Sequence, residues 1–107
     1  MTPKQFERYL QRDGGCLHCG ATEGVVPHHR GNRGMGGSKA RDVPANIIVM
    51  CSRFNGLMES DPAAAETARL MGWKISTHDN PELIPVLNGI SGEWVMLDNS
   101  FNCWEAT

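Results

Sequence analysis

Apolar and polar residues alternate in several distinct rhythms along the chain. Phe6, Tyr9 and Leu10 recur at the spacing of one helix face. Thr2, Pro3 and Gln5 read as an N-cap, a proline at the first helical position and a near capping-box glutamine, and Gly14-Gly15 ends the run. A helix of about ten residues is predicted there. Cys16-Leu-His-Cys19-Gly then reads as a tight turn, Val25-Val26-Pro-His28-His29 as a short extended run, and Gly31–Gly37 as a glycine-rich loop. The clearest strand is Asn46-Ile-Ile-Val-Met-Cys51, apolar in its body and β-branched at Ile47, Ile48 and Val49. A helix from about Ser52 to Glu59, capped by Ser52, should follow it.

In the second half, Asp61-Pro62 supplies N-cap and N1 signals for a helix with an alanine-rich body that runs to Met71-Gly72. Trp73-Lys-Ile-Ser76 is a candidate strand. Ile84–Leu87 and Glu93–Leu97 flank Asn88-Gly89-Ile-Ser-Gly92, which predicts a β-hairpin with a five-residue loop. The order is helix, knuckle, hairpin, helix, helix, hairpin: an α+β fold. With 107 residues there is room for one domain over 1–107 and one modest core.

Composition and charge narrow the classes. A hydrophobic fraction of 40% argues against wholesale disorder. No apolar run approaches the roughly 20 residues of a bilayer span, so no membrane partner is expected. The N-terminus lacks the apolar region of a signal peptide, which makes the cytoplasm the expected compartment, a host cytoplasm if the gene is mobile or viral. In that reducing setting four cysteines point to a metal site or free thiols rather than disulfides. The net charge of −2 hides an asymmetry. Residues 1–53 hold eight basic and four acidic side chains, a net of +4, whereas residues 54–107 hold two and eight, a net of −6. Between Val25 and Arg41 there is no acid at all, so a polyanion can dock there, although an ordinary solvated loop has the same composition.

One ordered set of residues carries chemistry. Cys16-x-x-Cys19-Gly is followed by Val26-Pro27-His28-His29-Arg30, a basic glycine-rich loop, Asn46-Ile-Ile-Val-Met-Cys51, and Asn55 in the next helix. In this order and spacing the chain resembles the HNH endonucleases over roughly residues 14–61. The strings NRGMGGSK and CSRFNGLMESD are similar to the small HNH proteins carried by phages of actinobacteria. The resemblance implies a ββα-metal, treble-clef-like unit, here with an N-terminal helix and a C-terminal extension of helix plus hairpin over 62–107. It also implies metal-dependent hydrolysis of DNA phosphodiester bonds, by nicking or double-strand cutting.

The residue types suit that chemistry. Phosphodiester hydrolysis needs an activated water, a cation to offset phosphate charge, and help for the leaving 3′ oxygen. A neutral imidazole accepts a proton near neutral pH. By the resemblance His29 is the general base, His28 a metal ligand, and Asn46 the central asparagine that spans the loop and orients the histidine backbone. Neighbours on a strand point to opposite sides, so His28 and His29 cannot both face the metal unless the strand kinks. Asn55 stands where the family's last histidine usually falls. Its amide oxygen is a hard ligand suited to one Mg²⁺ or Mn²⁺. Glu59, four residues on along the same helix face, either adds a carboxylate or is a solvated helix residue. Arg30, Arg33, Lys39, Arg41 and Arg53 are candidate phosphate contacts, and Gly34, Gly36 and Gly37 let backbone N–H groups approach a phosphate closely.

The chain departs from the family at the zinc knuckle. Many HNH proteins carry two CxxC pairs, but here the second would be Cys51-x-x-Phe54. Cys16, Cys19 and Cys51 supply three ligands where structural Zn²⁺ normally takes four, and His18, His78 or Cys103 would have to complete the set. Phe54 suggests an apolar plug, with the cysteines as small buried hydrophobes, so Cys16, Cys19 and Cys51 stay a candidate structural zinc site that is not the favoured reading. The alternative function is a non-catalytic DNA-binding or phage DNA-packaging accessory protein on the same scaffold. Trp73, Trp94 and Trp104 in the acidic extension suggest either core packing or a docking face for such packaging proteins.

Overall fold

In the computed structural model, which describes residues 1–32 and 41–107, the first helix, α1 (Pro3–Asp13), begins and ends on the predicted signals. Thr2 Oγ1 accepts from the Gln5 N–H at 3.1 Å, and Gln5 Oε1 accepts from the Thr2 N–H at 2.8 Å. Gly14, at φ 84°, closes the helix by donating its N–H to the Leu10 carbonyl. The apolar face of α1, Phe6, Tyr9 and Leu10, packs on Ile47 and Val49. The last turn is bolted down as well. Arg12 donates to Asp13 at 2.7 Å and to the carbonyls of Pro44 and Ile47, while Asp13 accepts from the Val49 N–H at 2.9 Å.

The strands β1 (Val25–His29) and β2 (Ile47–Cys51) pair antiparallel, with His28 opposite Ile48 and His29 opposite Ile47. The hairpin is covered on both faces, which explains the unbroken apolar body of β2. Ile47 and Val49 meet α1, and Ile48 and Met50 enter the main core with Leu17, Phe54, Met58, Ala68, Trp73, Val86 and Leu97. The helix α2 (Ser52–Ser60) follows β2 without a loop. Its cap is Cys51, whose sulfur accepts from the Phe54 N–H, rather than the expected Ser52. Next, α3 (Pro62–Leu70) starts from Asp61, whose side chain accepts from the Ala63 N–H, and buries its small residues Ala64 and Ala68.

Trp73–Ser76 does not form the expected strand. The N–H groups of Trp73 and Lys74 both go to the Ala68 carbonyl at the end of α3, so they are not available to a ladder, and only Ile75 makes an isolated bridge with Gly31. Gly72, at φ 76°, makes this reversal, and a side chain there would collide with the Pro85 carbonyl. The second sheet is β3 (Val86–Asn88), β4 (Glu93–Leu97) and β5 (Cys103–Glu105), antiparallel in that order. The hairpin forms where predicted, but Asn88 pairs with Glu93, which leaves a four-residue loop over 89–92, and β3 starts after Pro85, which has no N–H to give. The strand β5 has no counterpart among the sequence expectations. Val86, Val95 and Leu97 face the core, while Trp94 and Trp104 are exposed. Among the described residues the fold is thus α+β, with three α-helices and two small antiparallel sheets, and no helix is long and apolar enough to cross a membrane.

Candidate functional site

The hairpin and α2 bring His28 and Asn55 together. The His28 imidazole is 5% exposed, with Nε2 2.7 Å from the Trp73 carbonyl oxygen and Nδ1 2.9 Å from Asn55 Oδ1. Burial lowers the His28 pKa. Its contacts with the Trp73 carbonyl and Asn55 and the nearby Glu59 charge work the other way, and Lys74 adds to the lowering. A carbonyl oxygen only accepts, so the neutral ring must carry its proton on Nε2 and donate it to Trp73. The bare Nδ1 lone pair then faces an amide oxygen, acceptor against acceptor. Two arrangements relieve this: the Asn55 amide turns its NH₂ toward the ring, or a cation sits against both atoms. A histidine whose second ring nitrogen donates to a backbone carbonyl is the usual form of a metal-ligating imidazole. Glu59 lies one turn further along α2 and is exposed, with a carboxylate oxygen 3.8 Å from Lys74 Nζ.

Asn46 is fully buried and ties off the excursion between the strands. Its Oδ1 accepts from the Gly31 N–H at 2.8 Å, and its Nδ2 donates to the carbonyls of Gly31 and Arg41 at 3.0 and 2.9 Å. His29 does not join His28 and Asn55, because β1 stays regularly paired to its end and the two rings leave on opposite faces. On the α1 face, His29 Nε2 meets Asp42 Oδ1 at 2.7 Å. The pair borders a cavity of about 590 Å³ whose walls include Arg8, Tyr9, Pro27 and Phe101.

The expected phosphate contacts divide sharply. Arg30 is corrected from a DNA contact to a structural residue, for it is wholly buried. Its guanidinium donates to four backbone carbonyls: Gly72 at 2.8 Å, Ala45 at 3.0 Å, Pro81 at 3.0 Å and Ile84 at 2.8 Å. Burial pulls its pKa down to about 10, which leaves it charged at neutral pH. Arg41 is corrected likewise, being buried with donors on the Asp79 and Ser76 carbonyls. Arg53 stays exposed on α2. Arg33 and Lys39, with Gly34, Gly36 and Gly37, lie outside the described residues.

A second constellation forms at the base of the hairpin. Ligand atoms of Cys16, His18, Cys19 and Cys51 all lie within 4.8 Å of one another, so these four residues can hold a metal ion. The expectation against zinc rested on the missing fourth ligand, which His18 supplies. Phe54 does not plug the site but stacks flat on the His18 ring, with centroids 3.9 Å apart. Nor are the cysteines uniformly buried, since Cys16 is enclosed and Cys19 is exposed. The donor chemistry fits a cation. Backbone N–H groups of His18 and Cys51 reach Cys16 Sγ at 3.3 and 3.0 Å, contacts that favour a thiolate. A backbone hydrogen bond at Ala21 lowers the Cys19 pKa, whereas burial raises that of Cys16. Burial, helped by the Arg53 charge, lowers the His18 pKa and keeps the ring in its ligating neutral form.

Sequence reasoning passed over Asp42, the Trp73 carbonyl and Lys74. Asp42 sits beside a predicted phosphate contact without a motif to mark it, and a carbonyl acceptor has no signature in sequence. No family model, curated protein or solved structure matches this chain.

Proposed function

We propose that this protein is a metal-dependent endonuclease that hydrolyses DNA phosphodiester bonds. In this reading His28, Asn55 and Glu59 hold one divalent cation and His29 acts on the attacking water. The observation that carries the reading is the placement of the Asn55 side chain 2.9 Å from His28 Nδ1 while Nε2 lies 2.7 Å from the Trp73 carbonyl, which leaves Nδ1 as the ring's ligand atom. Oxygen ligands from an amide and a carboxylate favour Mg²⁺ or Mn²⁺. Such an ion would offset charge on the phosphate and on the departing 3′ oxygen. The Cys16, His18, Cys19 and Cys51 cluster suits a structural Zn²⁺ that fixes the base of the hairpin.

The division of the two histidines between opposite faces supports this chemistry. In-line displacement needs the attacking water and the leaving oxygen on opposite sides of phosphorus. A phosphodiester seated at the end of β1 would meet His29 on one side and the His28–Asn55 pair on the other. His29 donates Nε2–H to Asp42, which leaves Nδ1 as the acceptor for a water proton. Asp42 holds the ring in that tautomer and stabilises the imidazolium once it forms.

The test is nicking of supercoiled plasmid across a metal series. We expect no cleavage in metal-free buffer, cleavage with Mg²⁺ or Mn²⁺, and a higher metal requirement for Asn55→Ala. Cleavage that persists without a divalent ion would overturn the reading. A protein that binds DNA but never cuts it would support the non-catalytic packaging-accessory alternative.

A further inference from the structure

The cavity beside His29 has a wall that the hairpin–helix unit does not supply. Phe101, in the turn between β4 and β5, is held at φ 64°, a left-handed conformation that costs a residue with a side chain. The turn is locked to keep it there. Asp98 accepts from the N–H groups of Ser100 and Asn102 and from the Asn102 amide, while Asn99 accepts from the Ala45 N–H. The Phe101 ring lies 4.9 Å from Tyr9, and the Arg8 guanidinium lies over it, 4.0 Å from the ring centroid. Arg8 is thereby held over the Phe101 ring where it lines a 590 Å³ cavity that also takes in His29 and Asp42.

We infer that this cavity receives one unpaired nucleobase next to the phosphate addressed by His29, stacked on the Arg8 guanidinium. The inference rests on the reading that DNA is the substrate. A base has two flat apolar faces and a polar edge. The cavity offers a planar cation, aromatic and proline walls at Tyr9, Phe101 and Pro27, and polar groups at one end, His29 and Asp42. Its volume falls in the range of pockets that enclose small organic groups. A base can enter only if it is out of a duplex stack, so the preferred substrate is single-stranded, frayed or able to flip a nucleotide.

Binding measured without cleavage tests this separately from catalysis. The probes are a short single-stranded oligodeoxynucleotide carrying one 2-aminopurine, and the same strand with an abasic site in its place. Both are titrated in buffer lacking Mg²⁺ and Mn²⁺. We expect at least a twofold quench of the 2-aminopurine emission and about tenfold weaker binding of the abasic strand. Arg8→Lys keeps the charge but not the plane, so it should lose the quench while holding the abasic strand as the wild type does. Phe101→Gly, which tolerates the positive φ, should lose the quench too. Equal affinity for both strands, an absent quench, or wild-type behaviour of Arg8→Lys would overturn the inference. Plasmid nicking with an absent quench would leave the endonuclease reading standing without the base pocket. A quench in a protein that never nicks would leave the pocket standing without the endonuclease.

Discussion

Arg30 carries its charge into the centre of the molecule and meets four backbone carbonyls, drawn from the turns at Ala45, Gly72, Pro81 and Ile84. Pro81 and Ile84 belong to one turn, so the four carbonyls come from three stretches of chain, and one planar fork joins the hairpin to the extension. Replacing it with Met should lower the unfolding free energy by roughly 3–5 kcal/mol, because buried carbonyls lose their donors. Lys should rescue little, since a compact ammonium cannot match the fork. Urea denaturation of both variants checks this; a loss below about 1 kcal/mol would mean that water satisfies the carbonyls. His28 gives a second prediction at this scale. Its folded pKa is lowered, chiefly by burial, so the unfolded ring takes up a proton first as pH falls. The stability it contributes is fully present above the ordinary imidazole pKa of about 6.5 and is lost as pH falls through the lower folded value. The denaturation midpoint of the metal-free wild type should therefore fall between pH 7 and pH 5 more steeply than that of His28→Gln. Equal slopes would contradict a ring held neutral by burial. Neither role can be read from the sequence, where Arg30 is one more cation in a basic stretch and His28 one half of a motif.

Among the elements, those governed by local rules were the legible ones. The α1 caps, the strand at Ile47–Cys51, the Asp61 start of α3 and the hairpin around Asn88–Gly92 all follow from residues within a few positions of each other. The elements that differed depend on distant partners. Trp73–Ser76 is pulled out of strand pairing by the end of α3, and β5 exists because β4 gives it an edge to pair with. The Cys/His cluster is intermediate. Three of its residues were evident as candidates, but the choice of His18 over His78 or Cys103 needed the turn that brings it to Cys51. We predict one Zn²⁺ per chain by elemental analysis, with a fall in thermal stability on chelation. His18→Ala should lose much of the zinc, while Cys103→Ala should keep it. A purified protein with far less than one zinc per chain and an unchanged melting temperature in chelator would remove the cluster from the fold's supports.

For the molecule as a whole, the acidic extension completes the proposed site rather than standing apart from it. It contributes the Trp73 carbonyl that orients His28, Lys74 beside Glu59, and Phe101 under Arg8. With Arg30 and Arg41 turned inward, the exposed cations among the described residues include Lys4 and Arg8 on α1 and Arg53 on α2. In the proposed reading, phosphate affinity would then fall partly to α1, next to His29. The most direct measurement is single-turnover nicking by His29→Ala beside the wild type, with DNA affinity and Mn²⁺ affinity read on the same preparations. The account predicts a rate lower by about 10²–10⁴-fold, the usual share of a general base, with both affinities near wild type. A His29→Ala protein that nicks at the wild-type rate would contradict it.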